Sequence, residues 1–212
     1  MKSDHGISAV EVLTATASAL LVLVSLGHTA VLQQRLFRSE ARQLEARESS
    51  RRIVDLVARE LRGAGFDPLG EGSFDGFREA IIVAARERIE VRADRHGSGG
   101  GDAPDGVVDP ASDERVTFFR HAATRMIRQS FGDQVLSLSE LPTPADGFVI
   151  RYFDPCGAEI VPPPGLELAE AERMRVRRVT IAASFVEPGS SSVRSAETSV
   201  ALRNRAHLGC IR

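Results

Sequence analysis

Tryptophan is absent from the 212 residues, tyrosine occurs once, cysteine twice, and Lys2 is the lone lysine among 27 basic residues. With ten phenylalanines and no tryptophan, a core has to be built from aliphatic side chains and phenylalanine. An excess of charge of either sign is also missing, since 27 Lys+Arg face 29 Asp+Glu. A general nucleic-acid binder concentrates basic surface, so that class is excluded and no nucleic-acid partner is expected. The 42% share of hydrophobic residues excludes disorder of the whole chain. Its length suits one globular domain with an additional segment.

No formally charged residue lies between Val12 and Gln34, and the run VLTATASALLVLVSLGHTAVL is rich in Leu, Val and Ala. At about 1.5 Å per residue, roughly 20 residues cross a hydrocarbon layer, so this run is a membrane-spanning candidate. A cleaved secretory signal is the alternative. It needs a basic leader, a core of about 7 to 15 apolar residues and a small-x-small cleavage site. Here Lys2 is the only lysine or arginine ahead of the run, and no convincing Ala-x-Ala follows it. Glu11 sits at the front edge, between Val10 and Val12. A carboxylate costs at least about 2.5 kcal/mol at mid-bilayer and less at an interface, so Glu11 is either solvated among headgroups or paired.

Past the run, the sequence QQRLFRSEARQLEARESSRRIVDLVARELRGAGFDP holds no proline until Pro68. Leu36, Leu44, Ile53, Val54, Val57 and Leu61 recur at helical spacing among Glu and Arg. The i, i+4 pairs Glu48/Arg52 and Asp55/Arg59 add a few tenths of a kcal/mol each. Gly63, Gly65 and Pro68 form a stop. The spacing predicts one helix from about Ser8 to Arg62, roughly 80 Å long at the standard rise.

From Phe66 onward the pattern is strand-sized. Strands are expected at 80–85, 88–93, 115–120, 124–131, 147–153, 177–186 and 195–205, and EPGSSS allows a hairpin between the last two. Val179, Ile181, Ala183 and Phe185 alternate onto one face. Residues 166–174 read as a short helix or a surface loop. The expected class is α+β, with one antiparallel sheet laid on the second half of the long helix.

Candidate chemistry is sparse. The stretch from Ala93 to Phe118 holds Asp94, Asp102, Asp105, Asp109, Asp113 and Glu114 among glycines, an oxygen-rich loop of the kind a hard cation such as calcium requires. Its spacing departs from the helix-loop-helix calcium pattern, and a solvated linker is the other reading. Cys156 and Cys210 form an even pair, which in an exported domain reads as a disulfide; two unpaired thiols remain the alternative. The five histidines, His5, His28, His96, His121 and His207, lack metal-ligand spacing. No nucleophile elbow, phosphate-cradling glycine loop or Cys/His arrangement occurs, so an enzyme is not expected. No resident cofactor is expected beyond the calcium candidate.

The segment Gly6-Ile7-Ser8-Ala9-Val10-Glu11-Val12-Leu13 resembles the class III signal of type IV pilins and pseudopilins. ARELRGAGFDP at 58–68 resembles the helix end of PilW-type minor pilins, and VALRNRA at 200–206 resembles the end of PilW-like and type II secretion J-type pseudopilin sequences. The resemblance implies cleavage between Gly6 and Ile7 by a membrane prepilin peptidase, N-methylation of Ile7 and an assembly role for Glu11. It also implies a leader at 1–6, a transmembrane and filament-core helix at 7–35, an amphipathic continuation at 36–65 and a periplasmic β-rich head at 66–212. The implied fold is pilin-like, with a long helix packed on an antiparallel sheet. The implied partners are other minor and major pilins or pseudopilins and the inner membrane. The Asp-rich loop has counterparts in PilW-like sequences, and some pseudopilins bind calcium. Charge alone points the other way across the membrane: Arg35, Arg38 and Arg42 follow the run, and a positive-inside count would keep that side cytoplasmic. The function implied is a structural, assembly-priming minor pilin of a type IV pilus. Alternatives are a J-type pseudopilin of a type II secretion or competence system, or a signal-anchored periplasmic binding module.

Overall fold

A computed structural model describes residues 9–70, 74–97, 103–186 and 192–205. Its first element, α1 (Ala9–Gly63), is a single 55-residue helix. Its composition explains the length: proline is absent, Gly27 is its only interior glycine, and Ala, Leu, Arg, Glu and Gln dominate. The chain divides into two units, Met1–Leu44 and Glu45–Arg212. Within the first, no described residue is buried, and the large apolar side chains from Val10 to Phe37 are exposed.

In the second unit α1 acquires an inner face. Ala46, Ser50, Ile53, Val54, Val57, Ala58 and Leu61 are buried, whereas Arg51, Arg52, Asp55, Arg59 and Arg62 remain outside. Recurrence at three and four residues aligns the first set along one stripe. The Glu48–Arg52 pair forms at 2.8 Å, but Arg59 turns to Glu60, 3.8 Å away, rather than to Asp55. Gly65 ends the helix with φ +72°, and its N–H donates to the Arg92 carbonyl at 2.7 Å. A Cβ on Gly65 would strike the Gly76 carbonyl oxygen, and one on Gly76 would strike that of Gly65. Two backbones therefore touch where only glycine fits.

Gly76 opens the short helix α2 (Gly76–Glu79), capped by Asp75, whose carboxylate accepts the Phe77 and Arg78 N–H groups, both at 3.0 Å. Five strands follow as an antiparallel meander in sequence order: β1 (Ile81–Ala84), β2 (Arg88–Arg92), β3 (Arg115–Arg120), β4 (Ile127–Phe131) and β5 (Gln134–Ser137). The remaining four, β6 (Phe148–Phe153), β7 (Glu159–Ile160), β8 (Arg178–Val186) and β9 (Val193–Ala201), form a second antiparallel sheet in the order β7-β6-β8-β9. A helix, α3 (Glu170–Arg175), precedes β8, and a 3-10 turn (Arg203–Arg205) follows β9.

The α+β class and the long helix on antiparallel strands are as expected. The single sheet is corrected to two. They meet at the β1–β2 turn through isolated bonds, Ile150 N–H to the Arg86 carbonyl and the Tyr152 hydroxyl to the Ala85 carbonyl, both 2.8 Å. In the second sheet Phe148, Ile150 and Tyr152 on β6 stand opposite Ala183, Ile181 and Val179 on β8, all buried. Such cross-strand pairs are the unit of sheet stabilisation. With Phe118, Ile89 and Ile127 of the first sheet and Val57 and Leu61 of α1, they belong to one core. Each fully buried side chain of this size contributes about 1.5–3 kcal/mol relative to exposure.

Candidate functional site

The first half of α1 combines two properties. Among the described residues it is the one helix long and apolar enough to cross a membrane, and none of that apolar window is covered by the chain itself. Its hydroxyls are nevertheless all satisfied within the helix. Thr14 donates to the Val10 and Glu11 carbonyls, Thr16 to Leu13, Ser18 to Thr14, Ser25 to Leu21 and Val22, and Thr29 to Ser25, at 2.8–3.0 Å. Back-bonding of this kind removes the cost of taking a hydroxyl out of water. The five Ser and Thr residues therefore do not reduce the apolar character that the sequence shows. Glu11 stands exposed in the first turn, where the positive end of the helix dipole favours a carboxylate. Gly6 and Ile7, the expected cleavage pair, lie outside the described residues.

The Asp-rich segment is organised by two carboxylates that hold its backbone. Asp94, fully buried, accepts the Gly106 N–H at 2.8 Å and the Asp105 N–H at 3.3 Å. Glu114 accepts the N–H groups of Arg95, His96 and Asp109 at 2.6–2.7 Å. Asp105 and Asp109 each fold onto a local N–H, of Val107 and Ala111. Asp113 faces His96 at 3.4 Å and Arg95 at 3.9 Å, and Arg95 in turn binds Glu60 of α1 at 2.6 Å. The carboxylates thus point at amide donors and cations. Among the described residues no three His, Cys, Asp or Glu side chains converge as a metal site. Asp102 lies outside the described residues. Asp94 and Glu114 together organise the loop, and the spacing of the acidic residues gave no sequence signal of that role.

Cys156 sits in the turn after β6, where Asp154 accepts its N–H and that of Ala158, both at 2.9 Å, and Arg175 closes on Asp154 at 3.3 Å. Gly157 completes the turn with φ +83°. No described cysteine is a free thiol; Cys210 lies outside the described residues. No protein-family model, curated protein or solved structure matches this chain.

Two features of the head had no signature in the sequence. Glu90, 1% exposed on β2, is held by the Arg115 guanidinium at 2.8 and 3.3 Å, with Arg92 at 3.6 Å. Its burial is tolerable because two guanidinium groups and the Thr117 hydroxyl, at 3.4 Å, meet its carboxylate. The second is a cleft of about 690 Å³ where the two sheets meet, bounded by the β1–β2 turn, the end of β3, the middle of β6 and a proline-rich strap, Val161–Leu166. Beneath it Tyr152 is wholly buried, and burial pushes its phenol well above the ordinary value.

Proposed function

We propose that this chain is a type IV pilin-like minor pilin of the PilW type: a structural, assembly-priming subunit with no catalytic role. In this reading a prepilin peptidase cuts between Gly6 and Ile7 and Ile7 is N-methylated. The subunit waits in the inner membrane with its head in the periplasm, and then joins other minor and major pilins in a pilus. The observation that carries the proposal is α1 itself. Its apolar window is uncovered by the rest of the chain, its hydroxyls are internally bonded, and one carboxylate, Glu11, stands in its first turn. An apolar helix of this kind needs lipid or other helices around it. A carboxylate on it is stable in a packed bundle only beside a cation, and the ammonium of a neighbouring Ile7 would be that cation.

The fold supports the same reading, because a long helix leading into an antiparallel head is a pilin-like layout. A J-type pseudopilin shares every one of these features. A Cys156–Cys210 bridge is part of the proposal, supported by the lack of a free thiol at Cys156. It would fasten the C-terminal tail to the turn after β6.

The test is the intact mass and N-terminal sequence of the protein recovered from its host's membranes. A chain beginning at methylated Ile7 is the expected result. An intact Met1, or a start beyond Ala30, would overturn the pilin reading and leave an anchored or secreted domain.

A further inference from the structure

The cleft between the two sheets of the head is built from parts that have no role in the reading above. One wall is the strap Val161–Leu166, whose prolines at 162, 163 and 164 carry no N–H donors. The strap is fixed at both ends. Ile160 lies on β7, paired with Tyr152, and beyond the strap the Leu168 N–H donates to the Ala84 carbonyl at 2.8 Å. Between these points Pro163, Pro164, Gly165 and Leu166 make a tight turn, closed by the Leu166 N–H on the Pro163 carbonyl at 3.0 Å, with Gly165 at φ +73°. Proline followed by a glycine of positive φ is the composition of a type II turn. The wall is therefore apolar and set before any ligand arrives. The opposite wall brings Phe119 and Ile150 together.

Charge on the lining is unbalanced. Arg86, Arg88, Arg120 and Arg151 line the cleft, against Glu87 and Glu159, although the chain as a whole carries a net charge of -2. Arg120 is the inner cation, 14% exposed and held by Glu87 at 2.8 Å. Arg86 and Arg151 pair with Asp146 and Glu197, but those carboxylates lie outside the lining and are more than half exposed. Exposed pairs of this kind are worth at most about 1 kcal/mol, so their arginines are easily redirected. Arg88 makes no ion pair among the described residues. Clefts that hold small ligands run to roughly 300–1,000 Å³ and pair apolar walls with a few placed polar groups; this one, at about 690 Å³, lies in that range.

We propose that this cleft binds a small amphipathic anion, an apolar aromatic or alkyl body that ends in a carboxylate. The apolar body lies along the proline strap and Phe119, and the carboxylate meets the arginines of the rim. Nothing in this inference depends on the pilin reading.

The test uses the full-length chain in lipid nanodiscs, with empty discs as the reference, titrated calorimetrically with three probes of one ring system: 2-naphthoate, 2-naphthylmethanol and 2-naphthylmethylamine. The expected result is saturable binding of the carboxylate, at least tenfold tighter than of the alcohol or the amine. Arg88→Gln, which leaves the Arg88 backbone bonds in place, should weaken the carboxylate at least tenfold, and Val161→Glu should abolish its binding. If Val161→Glu does not fold, as judged by circular dichroism, the Arg88→Gln comparison carries the test. Equal or tighter binding of the amine, binding indifferent to Arg88→Gln, or no saturable binding above empty discs would each overturn the proposal.

Discussion

Tyr152 offers the sharpest test of the core, because scarcity in the sequence makes it its own reporter. It is the only tyrosine, tryptophan is absent, and one lysine is present. Tyrosinate absorbance therefore comes from one side chain, and few other groups titrate near it. The phenol is fully buried and donates to the Ala85 carbonyl at 2.8 Å. Burial raises its pKa well above 10.0 in the folded state. Below pH about 10 both the folded and unfolded chains hold the proton, and stability is insensitive to this group. As pH rises past about 10 the unfolded chain ionises and the folded one does not, so stability falls by up to about 1.4 kcal/mol per pH unit until the folded pKa is reached. Tyr152→Phe removes that loss but leaves the Ala85 carbonyl without its donor, at a cost of about 1–3 kcal/mol at neutral pH. For a chain of this size each kcal/mol shifts the melting temperature by about 2–4 °C. The assay is urea denaturation of the full-length chain in detergent between pH 8 and 12, with thermal melts at neutral pH, followed by circular dichroism and tyrosinate absorbance. Tyrosinate should appear together with unfolding. A reversible phenol titration near pH 10 in a chain that is still folded would refute the burial argument, and an unchanged melting temperature in Tyr152→Phe would refute the hydrogen-bond argument.

Three other perturbations separate the remaining claims. Gly65→Ala combines a φ of +72° with a Cβ driven into the Gly76 carbonyl, and should cost at least about 2 kcal/mol, read as a lower urea midpoint; a midpoint within error of the parent would refute the close approach. Glu11→Ala should leave the protein in the membrane fraction and reduce its recovery in sheared filaments, whereas normal incorporation would refute the charge pairing proposed for Glu11. Non-reducing electrophoresis should show a faster-migrating monomer that Cys156→Ser and Cys210→Ser each abolish; alkylation of both thiols in the protein recovered from its host's membranes would end the proposed bridge.

Local physics made the helix and several strands legible in advance. The missing prolines, the recurrence of Leu36, Leu44, Ile53, Val54, Val57 and Leu61 and the Gly63, Gly65 and Pro68 stop predicted a helix over Ser8–Arg62, and α1 runs Ala9–Gly63, with Leu36 and Leu44 exposed and the other four buried. RVTFFR became β3 without a change of bounds, and the alternation of Val179, Ile181, Ala183 and Phe185 became the inner face of β8. In the stretch read as helix or loop, Glu170–Arg175 is helical. The last expected strand, 195–205, ends at Ala201, and Arg203–Arg205 is a 3-10 turn instead. Three other elements passed unnoticed. Residues 134–137 and 159–160 are too short for a period to register, and the four-residue α2 rests on one Asp75 cap and the Gly65–Gly76 contact.

Sequence by itself determined what depends on residues near one another along the chain: the uncharged run from Val12 to Gln34, the lone Glu11 at its edge, the helix beyond it and the α+β class. Periodicity and charge spacing act within a few turns, so they survive without knowledge of the fold. Tertiary structure alone decided what depends on residues far apart. It split the strands into two sheets, since alternation tells which face of a strand is buried but not which strand lies beside it. It turned Asp94 and Glu114 from candidate cation ligands into acceptors of backbone N–H groups 11 to 19 residues away. It buried Glu90 between arginines, and it joined a proline strap to four arginines drawn from three strands and a turn. Each of these is a meeting of distant segments, and only the folded backbone specifies which segments meet.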